Sequence, residues 1–351
     1  MFLQLLINGL IAGSIYALVA TGFALIYSTC KFVHFAHGSA VAVAAYSLFF
    51  FFQKLGLNFW LAIILTIIFS GFFGWLLNKI VYKNLRKRKA SNVILLIGSV
   101  GLLILIESLL LLFFGAQKLG LNFWLAIILT IIFSGFFGWL LNKIVYKNLR
   151  KRKASNVILL IGSVGLLILI ESLLLLFFGA DVKTIGFIKI AKGLETFGAI
   201  ITPLQIVILT VSIILLISLF FLMKKTRLGK AMRAVADNKD VAEISGISAE
   251  KIYSWSFIIG SGIAGIAGIL VGLEQNLEPT MGTSLMIKGF TGAIIGGASS
   301  VPGAVLGSFL LGLVENFGIW FLPSGYKDAI AFVLLFIFLL FRPQGILGRK
   351  R

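Results

Sequence analysis

Cysteine, histidine, proline and acidic side chains are all scarce in this 351-residue chain: one Cys, two His, five Pro, and twelve Asp and Glu together. The single thiol, Cys30, excludes an internal disulfide and any cysteine-cluster metal site, and reads as passive. His34 and His37 lie three residues apart with no carboxylate or thiol near them in sequence, so no metal site is expected. No nucleophile–base or metal constellation stands out either. The chain is therefore read as no enzyme, and no cofactor is expected.

Charge of either sign is thin, at 12% of residues, against 60% hydrophobic residues. That leaves too little polar surface to clothe a water-soluble globule of this size, so lipid must cover much of it. A membrane-crossing helix needs about 20 apolar residues at about 1.5 Å rise each. Many such runs occur. The first, Leu3 to Tyr27, lacks a basic leader and a small-residue cleavage site, and is expected to be a retained span. The formal charge of +19 would suggest nucleic acid in a soluble protein. Here the basic residues gather in short loops between apolar runs without interleaved aromatics, which is the positive-inside bias and not a nucleic-acid surface.

Residues 53–116 recur without a change at 117–180. One perfect doubling in an otherwise non-repetitive chain reads as a recent or an artificial duplication, since a solenoid would show several diverged copies. Each copy holds two expected spans, 59–82 and 93–114 in the first, joined by the basic loop 83–89. An even number of crossings leaves everything downstream on its original side. Each copy also brings seven basic residues and one acidic one, so a single-copy chain would carry 24 basic against 11 acidic residues, +13. Further spans are expected near 35–52, 123–146, 157–178, 199–223, 252–273, 285–297, 303–321 and 327–341. The expected fold is all-α, a single polytopic transmembrane bundle over 1–351 with about eleven spans, or nine without the extra copy. The N-terminus lies outside, and loops 83–89, 147–153 and 224–239 and the basic tail lie inside. The Gly-rich pair at 285–321 also permits a re-entrant hairpin.

Residues 226–248 form a long polar interruption between two apolar spans. Ala231, Met232, Val235 and Ala236 make an apolar helical stripe. After Asp237-Asn238-Lys239 a second short helix is expected, with Asp240 as N-cap, Glu243 three residues on, and Gly246 as a left-handed C-cap. Two amphipathic helices on the cytoplasmic face suit docking into a groove on a soluble partner, or lying on the lipid headgroups. The stretch resembles the cytoplasmic coupling loop of branched-chain amino acid ABC importer permeases, in which a Gly-x-Ala-x-Arg-Ala core precedes Gly-Ile. Here these are Gly229, Ala231, Arg233 and Ala234, then Gly246-Ile247. The N-terminal NGLIAGSIYALVATGFALIYS and FAHG resemble the family's opening helices. The C-terminal KGFTGAIIGGASSVPGAVLGS, GLVEN and FRPQGILG resemble its last spans. His34 stands where the family usually has Asn.

The resemblance implies a membrane subunit of a bacterial or archaeal cell membrane. Its partners would be two ABC ATPase subunits, a second homologous permease and an extracytoplasmic solute-binding protein. Arg227, Asp240 and Glu243 join the motif residues as the expected ATPase-coupling set. No Gly-x-x-x-x-Gly-Lys-Ser/Thr phosphate loop is present, so ATP must be handled by another chain. The expected function is translocation of branched-chain, hydrophobic amino acids by alternating access. An ion-coupled secondary transporter is the alternative, with Glu107, Glu171 and Glu315 as coupling residues.

Glu107 and its copy Glu171 lie inside spans, where an acid must face the bundle or water. An interhelical hydrogen bond is the preferred reading and a pathway role the alternative. Lys288 and Glu315 flank the Gly-rich pair, with an intramembrane ion pair and separate snorkelling both open. In Gly260–Gly272, Ser261 with Gly265 and Gly268 with Gly272 have the spacing of close helix packing.

Overall fold

A computed structural model of the chain describes residues 1–87, 91, 92, 94–103, 106, 182–186, 193–196, 198–278 and 280–348. The expected spans 123–146 and 157–178, with Glu107 and Glu171, lie outside the described residues. Helix α1 runs Phe2–Cys30, α2 His37–Phe49, α3 Phe59–Leu77, α4 Lys83–Lys87 and α5 Ile94–Leu103. A two-stranded hairpin pairs β1, Leu194–Thr196, antiparallel with β2, Ala199–Ile201. Then follow α6 Pro203–Lys225, α7 Arg227–Asp237, α8 Lys239–Ile244, α9 Ala249–Glu274, α10 Met281–Gly296, α11 Val301–Gly318 and α12 Lys327–Phe341. Single π-helical turns extend α2 to Lys54 and join α3 to α4.

Six of these helical stretches are long and apolar enough to cross a membrane: Phe2–Cys30, Phe59–Lys87, Pro203–Lys225, Ala249–Glu274, Val301–Gly318 and Ser324–Phe341. The chain is a polytopic helical membrane protein. Two expectations need correction. Residues 199–201 are strand, not the start of a span; α6 begins after Thr202, whose hydroxyl accepts from Gln205 N while the Gln205 side chain accepts from Thr202 N, a reciprocal cap with Pro203 at the first turn. In the polar interruption, the N-cap of α8 is Asn238 and not Asp240. The Asn238 side chain accepts from Asp240 N and Val241 N, and its extended backbone (φ −147°) leaves Asp240 already inside the first turn.

Helix α1 is central because it carries small residues where neighbours cross. A Cβ added at Gly13 would stand 2.9 Å from Phe309 Cα, and one at Gly312 2.5 Å from Gly13 N, so α1 and α11 meet backbone to backbone. Helix α9 uses the same device against α2 and α3: Gly268 faces the Val41 carbonyl and Gly265 the Ser70 side chain. By contrast α6 and α12 present Ile, Val and Phe outward along most of their length. Against acyl chains that exposure has little hydrophobic cost.

The end of the bundle that carries the basic segments, called the inner end after the sequence expectation, is tied by side chains from the first repeat copy. Tyr82 Oη and His34 Nδ1 are 2.9 Å apart, and Ser99 Oγ accepts from Phe35 N. The outer end is tied by Gln4, which accepts from Ile200 N and donates to Ile200 O, and by Lys183 paired with Leu277. Helices α10 and α11 turn at Gly297 (φ 108°). The tip of that hairpin accepts Ile346 N–H at Ile295 O (2.8 Å) and Leu347 N–H at Gly296 O (2.9 Å). Because these donors follow α12, the tip lies level with the inner end of that span.

Candidate functional site

Two groups of side chains carry chemistry, one at the inner end of the bundle and one in its outer half. At the inner end, α6 breaks at Thr226, whose hydroxyl donates to Leu222 O at 2.7 Å and accepts from Gly229 N at 3.0 Å. Both bonds on one oxygen make the joint with α7 a fixed corner. Gly229 sits so close to α6 that an added Cβ would stand 2.6 Å from Met223 Cα. Met232 and Val235 are buried and Ala231 and Ala234 half-buried, so the apolar stripe faces the protein's own bundle. It is thus not available to a partner or to headgroups.

What the interruption offers to solution is its opposite side. Arg227, Arg233, Asp240 and Glu243 are all exposed. Beside them Val241 is 57% and Ile244 87% exposed. Gly246 (φ 81°) closes α8 by giving its N–H to Glu243 O, while Ile247 N–H reaches back to Ala242 O. This two-bond reverse cap sets the direction of the chain into α9. Val241 and Ile244 escaped the sequence reading, although two large apolar residues three apart in an otherwise polar stretch are the signal for them.

Arg86 was read only as one charge of a basic loop. Its guanidinium grips both Glu250 oxygens at 3.0 Å and donates to Asn78 Oδ1 at 2.7 Å. It also lies 4.7 Å from the centre of the Tyr253 ring. The fork ties α4 to the start of α9, directly after the interruption. Nearby, burial and then the neighbouring His37 hold the His34 imidazole well below its ordinary pKa, so the ring is neutral.

In the outer half, Lys288 of α10 and Glu315 of α11 do meet. Lys288 Nζ lies 2.6 Å from Glu315 Oε1 and 2.7 Å from Asp328 Oδ1, and Tyr16 Oη donates to Glu315 Oε2 at 2.9 Å. Of the two readings, the ion pair is the one realised. Glu315 is fully buried and the Lys288 side chain 9% exposed, whereas the Asp328 side chain is 70% exposed. Four helices, α1, α10, α11 and α12, thus share one charge cluster. Asp328 and Tyr16 were not singled out from sequence, because a lone acid at a span end and a tyrosine in a span carry no pattern of their own.

The family model for the permease component of branched-chain amino acid transport systems matches residues 5–112 and 108–339. The high-affinity branched-chain amino acid transport system permease protein BraD of Pseudomonas aeruginosa is 30% identical over 355 aligned residues, covering 99% of this chain and 96% of BraD. LivH of Escherichia coli K12 is 29% identical over 354, covering 99% and 96%. The probable permease LivH of Methanocaldococcus jannaschii is 27% identical over 352, covering 98% and 92%. No solved structure matches. With a family match running from the first span to the last and end-to-end similarity to these permeases, the chain belongs to the branched-chain amino acid transport permease family.

Proposed function

We propose that the chain is the membrane-spanning permease subunit of an ABC importer that moves branched-chain, hydrophobic amino acids by alternating access, driven by separate ATPase subunits. The observation that carries the reading is the two-sided construction of residues 226–248. One side is locked into the bundle through Gly229, Ala231, Met232, Ala234 and Val235. The other offers Arg227, Arg233, Asp240 and Glu243 around the exposed pair Val241 and Ile244. A partner that pushes on that face moves α6, α7 and α9 together, through the Thr226 corner and the Ile247 cap. An aliphatic anchor rimmed by charges of both signs suits a groove on a soluble protein better than an anionic membrane surface.

On this reading the protein pairs with a second, homologous permease and receives substrate from an extracytoplasmic binding protein, in a bacterial or archaeal cell membrane. Residues 1–351 form one transmembrane domain in which the repeats 53–116 and 117–180 contribute two spans each and 226–248 is the cytoplasmic coupling loop. Lys288 and Glu315 border the route on the outer side, with Glu107 and Glu171 as further candidates. The names of BraD and LivH support the substrate class.

The test is reconstitution with the ATPase subunits and binding protein. Leucine uptake is expected to stop when the ATPase is inactivated. Val241→Asp with Ile244→Asp is expected to weaken ATPase association by at least about tenfold while leaving the melting temperature of the permease nearly unchanged, since both residues are exposed. Uptake that continues on an ion gradient without ATPase, or normal association of the double variant, would overturn the reading.

A further inference from the structure

At the outer end a cavity of about 240 Å³ opens between the first turns of α10 and α12. Thr280, Ser284, Lys288 and Asp328 give it a polar side, and Ile287 and Phe332 an apolar one. That space admits a ligand of the size of a small aliphatic amino acid, about nine heavy atoms, and not only single waters.

The charges around it do not balance. Lys288 is one cation facing two carboxylates, Glu315 at 2.6 Å and Asp328 at 2.7 Å. Glu315 has no other outlet, being buried and held by Tyr16. Asp328 shares the same lysine while its side chain is 70% exposed, so it is the partner that a second cation can draw away. An anion would find the freed Lys288 donor and the hydroxyls of Thr280 and Ser284. A ligand carrying both charges a few ångströms apart serves both needs without changing the net charge of the site. The walls of Ile287 and Phe332 favour one with a hydrocarbon side chain over a metal ion or a strongly hydrated cation.

We propose that this cavity binds a zwitterionic aliphatic amino acid by exchange of ion pairs. The ligand's ammonium takes Asp328 away from Lys288, its carboxylate takes the vacated lysine donor, and its side chain lies against Ile287 and Phe332. Glu315 and Tyr16 hold Lys288 in position throughout. The inference rests on the amino-acid permease reading above and assigns that reading a binding site within the membrane subunit.

The experiment is equilibrium binding of radiolabelled leucine to the permease–ATPase assembly purified in detergent without the binding protein. The competitors are 4-methylpentanoate, which lacks the ammonium, and isopentylamine, which lacks the carboxylate. Leucine is expected to bind saturably and at least about tenfold more tightly than either analogue. Asp328→Asn is expected to weaken leucine and isopentylamine by at least about tenfold and 4-methylpentanoate by less than about twofold. Ser284→Phe, which fills the mouth of the cavity from an exposed position, is expected to abolish leucine binding. Assembly with the ATPase subunits is the folding control for both variants. If Asp328→Asn fails to assemble, Ser284→Phe and analogue competition on the unmodified protein decide the matter. Absence of saturable leucine binding, equal loss of all three ligands in Asp328→Asn, or unaltered leucine binding in Ser284→Phe overturns the proposal. If any of these is seen while the full assembly still imports leucine with ATP, the site assignment falls and the permease reading stands. If the full assembly imports no leucine at all, both fall.

Discussion

Replacing Glu315 with glutamine leaves the shape of the outer charge cluster nearly intact and removes one charge from its centre. The glutamine oxygen still accepts from Tyr16, but Lys288, whose side chain is only 9% exposed, loses the carboxylate at 2.6 Å. Breaking a buried pair from one side costs about 3–5 kcal/mol, because the surviving charge stays desolvated. Asp328 remains 2.7 Å from the ammonium. Its largely solvated side chain screens what it returns, so the expected loss is about 2–4 kcal/mol. Lys288→Met is expected to cost less, since the isolated Glu315 can take up a proton instead of holding a bare charge among apolar groups. The double variant should cost less than the sum of the two, with a coupling of about 1–3 kcal/mol. Denaturant or thermal unfolding of the purified permease in detergent, followed by tryptophan fluorescence, measures all four species of the cycle. Single variants within about 0.5 kcal/mol of the unmodified protein, or strict additivity, would refute the argument that these two groups stabilise one another inside the bundle.

Gly229→Val would drive a branched side chain into α6, where a Cβ already stands 2.6 Å from Met223 Cα. Uptake and ATPase association should fall more than about tenfold, with about 1–3 kcal/mol of lost stability, and normal activity would dismiss the fixed corner. His34→Asn should flatten the pH dependence of the melting temperature. The folded protein holds this ring neutral, so the unfolded chain, with an ordinary pKa of about 6.5, binds more protons as pH falls from about 7 to 5, and stability falls with it. An unchanged slope in the variant would exclude His34 as the source. Deleting 117–180 is expected to leave uptake close to that of the full chain. The described residues of the first copy supply the inner ties, Tyr82 to His34 and Ser99 to Phe35, and a deleted chain that inserts but does not transport would give the second copy an essential role.

Spans were legible because length and apolarity alone specify them, and α6 and α9 to α12 begin and end within a few residues of where hydropathy puts them. Local chemistry was less so. Asn238 and Asp240 are both good caps, and the choice between them depends on which residue is extended, a backbone fact invisible in the string Asp237-Asn238-Lys239-Asp240. Ala199-Ile200-Ile201 reads as the start of a span because the same β-branched residues serve a strand and a membrane helix; the Thr202–Gln205 cap with Pro203 was the available correction. The direction of the apolar stripe in α7 was beyond reach for a different reason. Amphipathicity tells that a helix has a face to bury and not against what, and here the face was already taken by the helix's own bundle. Arg86 shows the same limit, since its role comes from Glu250, 164 residues later.

The outer charge cluster also bears on how the protein enters its membrane. Lys288, Glu315 and Asp328 come from three successive helices, so a translocon handing helices to lipid one at a time would release α10 with an unmatched ammonium and α11 with an unmatched carboxylate. Each charge opposes its helix's solitary passage into hydrocarbon, by up to about 2.5–3.5 kcal/mol when it must sit at the bilayer centre. Held together as the hairpin turned at Gly297, the two cancel before they meet lipid. Paired insertion of α10 and α11 would spare both charges their separate passage, and α12 would add Asp328 after them.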